Sequence, residues 1–175
     1  MKQDNTYKIQ FTGLKIGLHQ FNYTIEKTFF EPYPYNDFID TKVNVQIDFN
    51  KQNTLFELYF SMQGVVRVNC DVSGEEYDQE VANTLNLIVK FGEAYNNEDE
   101  QILIIPHHEF ELDVSQFIYE LIVLSVPTKR LHPGIINGTL KSKAMDKLEE
   151  MNTKNKEQID PRWEKLKGLI KDKKQ

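Results

Sequence analysis

Apolar and polar residues alternate most regularly in the middle of the chain. Phe56, Leu58, Phe60, Met62, Val66, Val68 and Cys70 fall on one parity. Glu57, Tyr59, Ser61, Gln63, Arg67, Asn69 and Asp71 fall mostly on the other. After a break from Asp71 to Glu76, the pattern resumes with Val81, Leu85, Leu87, Val89 and Phe91. Successive strand side chains point to opposite faces, so the pattern predicts two long half-buried strands joined as a hairpin. The chain's single cysteine sits at the hairpin tip. Upstream, Val43, Val45, Ile47 and Phe49 alternate with Asn44, Gln46, Asp48 and Asn50, and Lys51 to Thr54 supplies a turn. Together these segments predict a three-stranded antiparallel meander. Gly64 interrupts the apolar parity, which predicts a bend or bulge there.

The flanks read as shorter elements. Tyr7, Ile9 and Phe11 predict a short strand, and Phe21, Tyr23 and Ile25 a second. Phe29-Phe30 should plug the core. The stretch Glu31-Pro32-Tyr33-Pro34-Tyr35-Asn36 must be loop, because its prolines fix φ and remove backbone donors. Such an aromatic loop either binds a partner or packs as a lid over the end of a barrel or sandwich. Residues 92–101 read as an exposed acidic loop, and Ile102 to Ile105 as a short apolar strand closed by Pro106. Phe110 and Leu112 form an extended lead-in. Asp113, with Gln116 three residues on, marks a helix start, and Pro127 its end. Val114, Phe117, Ile118, Leu121, Ile122 and Ser125 recur at helical spacing, which predicts one packed helix over about 113–126. Lys129 to Gly138 reads as irregular, with a turn at Pro133-Gly134. A helix-prone stretch then runs from Leu140 to about Lys154. Asp160-Pro161 opens a last helix with an apolar stripe of Trp163, Leu166, Leu169 and Ile170. Trp163 should dock on the body, on a second copy or on a partner.

Composition narrows the class. The 175 residues are 39% hydrophobic and 11% aromatic, a globular profile. No apolar run reaches the roughly 20 residues needed to span a bilayer. Met1 to Thr6 lacks the layout of a signal peptide, and one cysteine suits a reducing compartment, so a cytoplasmic protein is expected. The net charge of −6 is unevenly spread. Residues 141–175 carry 11 Lys and Arg against 7 Asp and Glu, a net of +4. The remainder carries 10 basic and 20 acidic residues, a net of −10. The tail suits a phosphate backbone and the body does not.

Catalytic and metal motifs add little. The chain has no G-x-S-x-G, no P-loop and no G-x-G-x-x-G. Its acids form no patterned pair in an apolar setting, so no catalytic residues are assigned. His107 and His108 on a strand would face opposite ways, and with Cys70 and His132 they show no ligand-pair spacing. No metal site is assigned. Cys70 reads as a small buried hydrophobe.

Several segments together resemble the YceD family, the large ribosomal RNA subunit accumulation proteins of bacteria. Leu14 to Gly17, Phe21 to Ile25 and Phe29-Phe30 are similar to its N-terminal strands. Gly64-Val-Val-Arg-Val-Asn-Cys70-Asp71 is similar to the strand entering its hairpin. Phe110 to Asp113, the following helix and Ser125-Val-Pro127-Thr-Lys129 are similar to its acidic strand, helix and Leu-Pro-x-Lys exit. Asp160-Pro161-Arg-Trp-Glu-Lys-Leu-Lys-Gly-Leu169 matches its C-terminal signature most specifically. Many members carry Cys-x-x-Cys at the hairpin tip, half of a metal site. Here the second position is Ser73, which argues against a zinc cofactor.

The expected fold is α+β: a curved antiparallel β-sheet or partly open barrel, one packed helix and a helical C-terminal tail. The body should span residues 1–138 and the tail residues 139–175. The resemblance implies a non-catalytic cytoplasmic factor for accumulation of large-subunit (23S) rRNA, binding pre-ribosomal RNA or a large-subunit ribosomal protein. Charge assigns Lys129, Arg130, Arg162, Lys165 and Lys167 to phosphate, with Trp163 beside them. The resemblance marks Cys70, Asp71, Asp160 and Pro161 as motif positions. No membrane and no small-molecule substrate are expected. The alternative is a small-ligand-binding β-barrel, for which the alternation and the aromatic loop are the motive.

Overall fold

The computed structural model describes residues 7–35, 37–99 and 101–139, with Lys147 and Met151. The strands are β1 (Lys8–Gln10), β2 (Gly17–Glu26), β3 (Asp40–Lys51), β4 (Leu55–Asn69), β5 (Glu76–Gly92), β6 (Ile102–Pro106) and β7 (Glu111–Asp113). The helices are α1 (Ser115–Ser125) and α2 (Pro133–Ile136), and a 3-10 turn covers Lys27–Phe30. The chain divides into two compact units, residues 1–69 with 76–130, and residues 70–75 with 131–175.

In the larger unit, β2-β3-β4-β5-β6 form one sheet in that order, and β1 and β7 form a separate antiparallel ribbon. The β3-β4-β5 meander is present, in the register that the alternation dictates. Val45 pairs with Met62 and Ile47 with Phe60, while Phe60 pairs with Leu85 and Leu58 with Leu87. One face therefore collects Val43, Ile47, Phe49, Phe56, Phe60 and Val89, each at most 2% exposed. The opposite face carries Asn44, Gln46, Gln63 and Asn86 to solvent. Arg67 forks across two strands onto its register partner Asp78, at 2.7 and 3.2 Å.

Gly64 makes neither a bulge nor a break. Pairing runs unbroken through it, with Val43 on one side and Val81 on the other. A Cβ at this position would stand 2.3 Å from the Lys42 carbonyl oxygen and 2.6 Å from Val43 Cα. The glycine permits a close backbone approach, which strand patterning alone cannot distinguish from a bulge.

β6 pairs parallel to β5, Ile88 with Ile102 through Gly92 with Pro106, within an otherwise antiparallel sheet. Between these two strands, Asn96 forms an antiparallel bridge with Ile104 of β6. The sheet is open, with β2 and β6 at its two ends. This removes the premise of a ligand-holding barrel, because Phe56, Phe60 and Leu87 are buried in a packed core.

α1 begins at Ser115, two residues after the expected cap. Asp113 ends β7 and still serves the helix, accepting from Ser115 N at 2.9 Å and from the Ser115 hydroxyl. Gln116 turns away from the cap and donates to Glu120. Val114, Ile118, Leu121 and Ile122 are buried as the spacing predicts, whereas Phe117 is half-buried. The helix stops before Pro127, with Val126 already extended at ψ 127°. The aromatic loop packs as a lid: Tyr33 stacks on Tyr119 of α1 at 4.1 Å and 6°, and Phe29 and Phe30 are buried beside it. Lys51 ties the β1 end to the sheet by donating to the carbonyls of Phe11 and Leu14.

In the smaller unit, Pro133-Gly134 opens the short helix α2 in place of a simple turn. The last predicted helix lies outside the described residues, as does the helix-prone stretch before it, except at Lys147 and Met151.

Candidate functional site

The hairpin tip, residues 70–75, is built around the Cys70 sulfur. Cys70 N donates to the Glu75 carbonyl at 2.8 Å, and Gly74 N to the Cys70 carbonyl at 2.9 Å. Gly74 closes the turn with φ +73°, a conformation that costs an L residue about 1–2 kcal/mol. Asp71 is exposed on the turn. The turn points the backbone N–H groups of Val72 and Ser73 at Cys70 Sγ, each at 3.4 Å. A third, from His132, reaches the same sulfur at 3.3 Å across 62 positions of sequence.

Cys70 is only 3% exposed. Burial raises its pKa, but hydrogen bonds from the Ser73 side chain and from the amides of Ser73, His132 and Val72 outweigh it and bring the thiol down to about 7. Amides that point at a sulfur stabilise its thiolate as they would any anion. The bland reading of Cys70 as a small buried hydrophobe is therefore incomplete. Its burial was legible in the strand parity, but the convergence of amides from two distant segments was not.

The donor set does not suit a structural zinc. Such a site takes four ligands, typically thiolates and imidazoles. Here Ser73 supplies a hydroxyl, which accepts from Glu75 N at 3.3 Å. The His132 Nδ1 accepts from Gly134 N at 2.9 Å while capping α2. Among the described residues, no three His, Cys, Asp or Glu side chains converge on a common point. His107 and His108 lie on the turn after β6 rather than on a strand, and they also diverge. His107 stacks on Phe91 at 5.7 Å, while the His108 side chain is 82% exposed.

The proposed phosphate contacts are split by what the structure describes. Lys129 is exposed and Arg130 half-buried on the segment leaving α1. Asp160, Pro161, Arg162, Trp163, Lys165 and Lys167 lie outside the described residues. No helix among the described residues is long and apolar enough to cross a membrane.

Pattern reading missed a groove in the larger unit. It has a volume of about 380 Å³ and runs between α1, β5 and the 95–99 loop. Phe117 and Leu121 of α1 and Leu85 and Leu87 of β5 form its floor, and Glu98, Asp99 and Glu120 lie at its rim. Leu124, 79% exposed, extends the apolar surface outward. The sequence held one signal: Phe117, Leu121 and Leu124 share a helix flank at i, i+4 and i+7, beside the stripe buried on the sheet.

A family model described as "Large ribosomal RNA subunit accumulation protein YceD" matches residues 58–170. The matched span takes in the β4-β5 hairpin, the Cys70 tip, α1 and most of the tail. No curated protein and no solved structure matches the chain.

Proposed function

The chain belongs to the YceD family, and from that premise we propose that it is a cytoplasmic, non-catalytic ribosome-biogenesis factor. It supports accumulation of large-subunit (23S) rRNA by binding pre-ribosomal RNA, a large-subunit ribosomal protein, or both. The observation that carries this reading is the family match, which spans body and tail alike. The charge distribution fits it: a body of net −10 suits a basic ribosomal protein, and a tail of net +4 suits RNA phosphate. The proposed RNA contacts are Lys129, Arg130, Arg162, Lys165 and Lys167, with Trp163 either stacking on a base or docking.

The test is co-sedimentation with precursor large subunits, together with large-subunit rRNA levels after deletion. The protein should enrich in the precursor fractions, and its loss should lower that rRNA relative to small-subunit rRNA. Absence from those fractions with unchanged rRNA on deletion would refute the reading.

A further inference from the structure

We infer that the groove between α1 and β5 is a docking site for a basic polypeptide segment bearing large apolar side chains. The inference deepens the proposed function and rests on it, by giving the protein partner a place on the body and a chemistry.

The floor and the rim ask for different things. Phe117, Leu121 and Leu85 leave an apolar trough on one side of a helix whose other side is already packed on the sheet. Leu124 stands 79% exposed at its edge, and Tyr95 59% exposed across from it. Covering such residues releases water at about 25 cal/mol per Å² of apolar surface. Glu98 and Asp99 come from the loop and Glu120 from α1, and among the described residues that line the groove there is no Lys or Arg.

The negative field reaches the groove itself. The Tyr95 hydroxyl is held above its usual pKa by burial and by the charges of Asp113 and Glu120. Phosphate would be repelled here, which sets RNA aside for this surface. A second copy presenting the same acidic body would be repelled as well. A segment with Lys or Arg flanking Leu, Ile or Phe satisfies both rim and floor, in the manner of an amphipathic segment in a groove. At about 380 Å³ the volume lies at the low end of the roughly 300–1,000 Å³ usual for ligand sites. It admits anchoring side chains rather than a folded domain.

The experiment uses the full chain and a defined probe, a peptide of about 12 residues alternating Lys and Leu. Two controls replace all Leu by Ser or all Lys by Glu. Binding is followed by calorimetry and by amide shifts. The Lys/Leu peptide should bind, shifting Leu85, Phe117 and Leu124 most, and each control should bind at least about tenfold more weakly. Leu124→Lys and Glu120→Lys alter exposed positions, so unfolding midpoints should hold while affinity falls about tenfold. Undiminished binding by both variants, shifts centred elsewhere, or preferential shifts on adding single-stranded RNA would overturn the inference. Dimerisation through these residues on light scattering would overturn it too. The Leu124→Lys, Glu120→Lys double variant separates the two levels. If it enters precursor subunits as well as wild type does, the groove assignment fails while the ribosome reading stands. If wild type itself stays out, the ribosome reading fails.

Discussion

Gly64 and Gly74 are glycines for different reasons, and substitution separates them. A Cβ at Gly64 meets the backbone of β3 at 2.3 Å, which no side-chain motion relieves. Gly64→Ala should therefore cost about 2–4 kcal/mol, read as a shift of the urea midpoint. At Gly74 a Cβ meets nothing within 4 Å, and only φ +73° resists it. Gly74→Ala should cost about 1–2 kcal/mol in the same assay, and a reversed order would refute this account. Thr41 is 3% exposed, and its hydroxyl has no hydrogen-bond partner among the described residues. Thr41→Val keeps the shape and removes a desolvated oxygen, so the midpoint should rise by about 1 kcal/mol. Cys70 couples stability to pH. Its folded pKa of about 7 lies below an ordinary thiol's roughly 8.5, so folding favours the thiolate. The contribution is complete above the unfolded value and is lost as pH falls through about 7. Melting temperature should rise between about pH 7 and 8.5 more in wild type than in Cys70→Ala, and absorbance near 240 nm should titrate with a midpoint of about 7. Parallel pH profiles for the two proteins would sink this assignment.

At the scale of elements, the lid and the helix stabilise each other. The Glu31-to-Asn36 loop left two readings open, and the structure chooses packing: Tyr33 lies flat on Tyr119 while Phe29 meets Tyr33 at 5.4 Å. A Tyr33→Ala, Tyr119→Ala cycle should give a coupling of about 1 kcal/mol from denaturant midpoints. A coupling near zero would mean the loop is held by its own aromatics. Elements whose evidence is periodic were legible in sequence: β3, β4, β5 and α1 fall where their apolar spacing places them. Those fixed by what lies beside them were less so. Ile102 to Ile105 read clearly as a strand, yet its parallel pairing with β5 is a choice of partner and direction that apolar spacing does not encode. Asp113 carried the start signal for α1, but β7 occupies it, and the helix begins once that pairing with β1 ends.

Over the whole molecule, charge is uneven, with an acidic body of net −10 and a basic tail of net +4. If the tail carries the RNA contacts, truncation at about Asp160 removes Arg162, Lys165, Lys167 and three further basic residues, Lys171, Lys173 and Lys174. RNA affinity of the full chain should fall steeply with salt, and the truncated chain should bind more weakly with a shallower slope. Unchanged affinity after truncation would move the RNA site off the tail. The alternation and the helical stripe were settled by sequence alone, because each arises from neighbours a few residues apart, and so was the charge asymmetry, which is a count along the chain. The family was legible too, in the hairpin strand and above all in Asp160 to Leu169. Tertiary structure alone decided that the sheet stays open, that β6 runs parallel, and that His132 brings its amide to Cys70 across 62 positions. It alone left Phe117 and Leu124 beside an acidic rim. Each of these joins segments distant in sequence, and periodicity says which face of a strand or helix is apolar but not which partner will cover it.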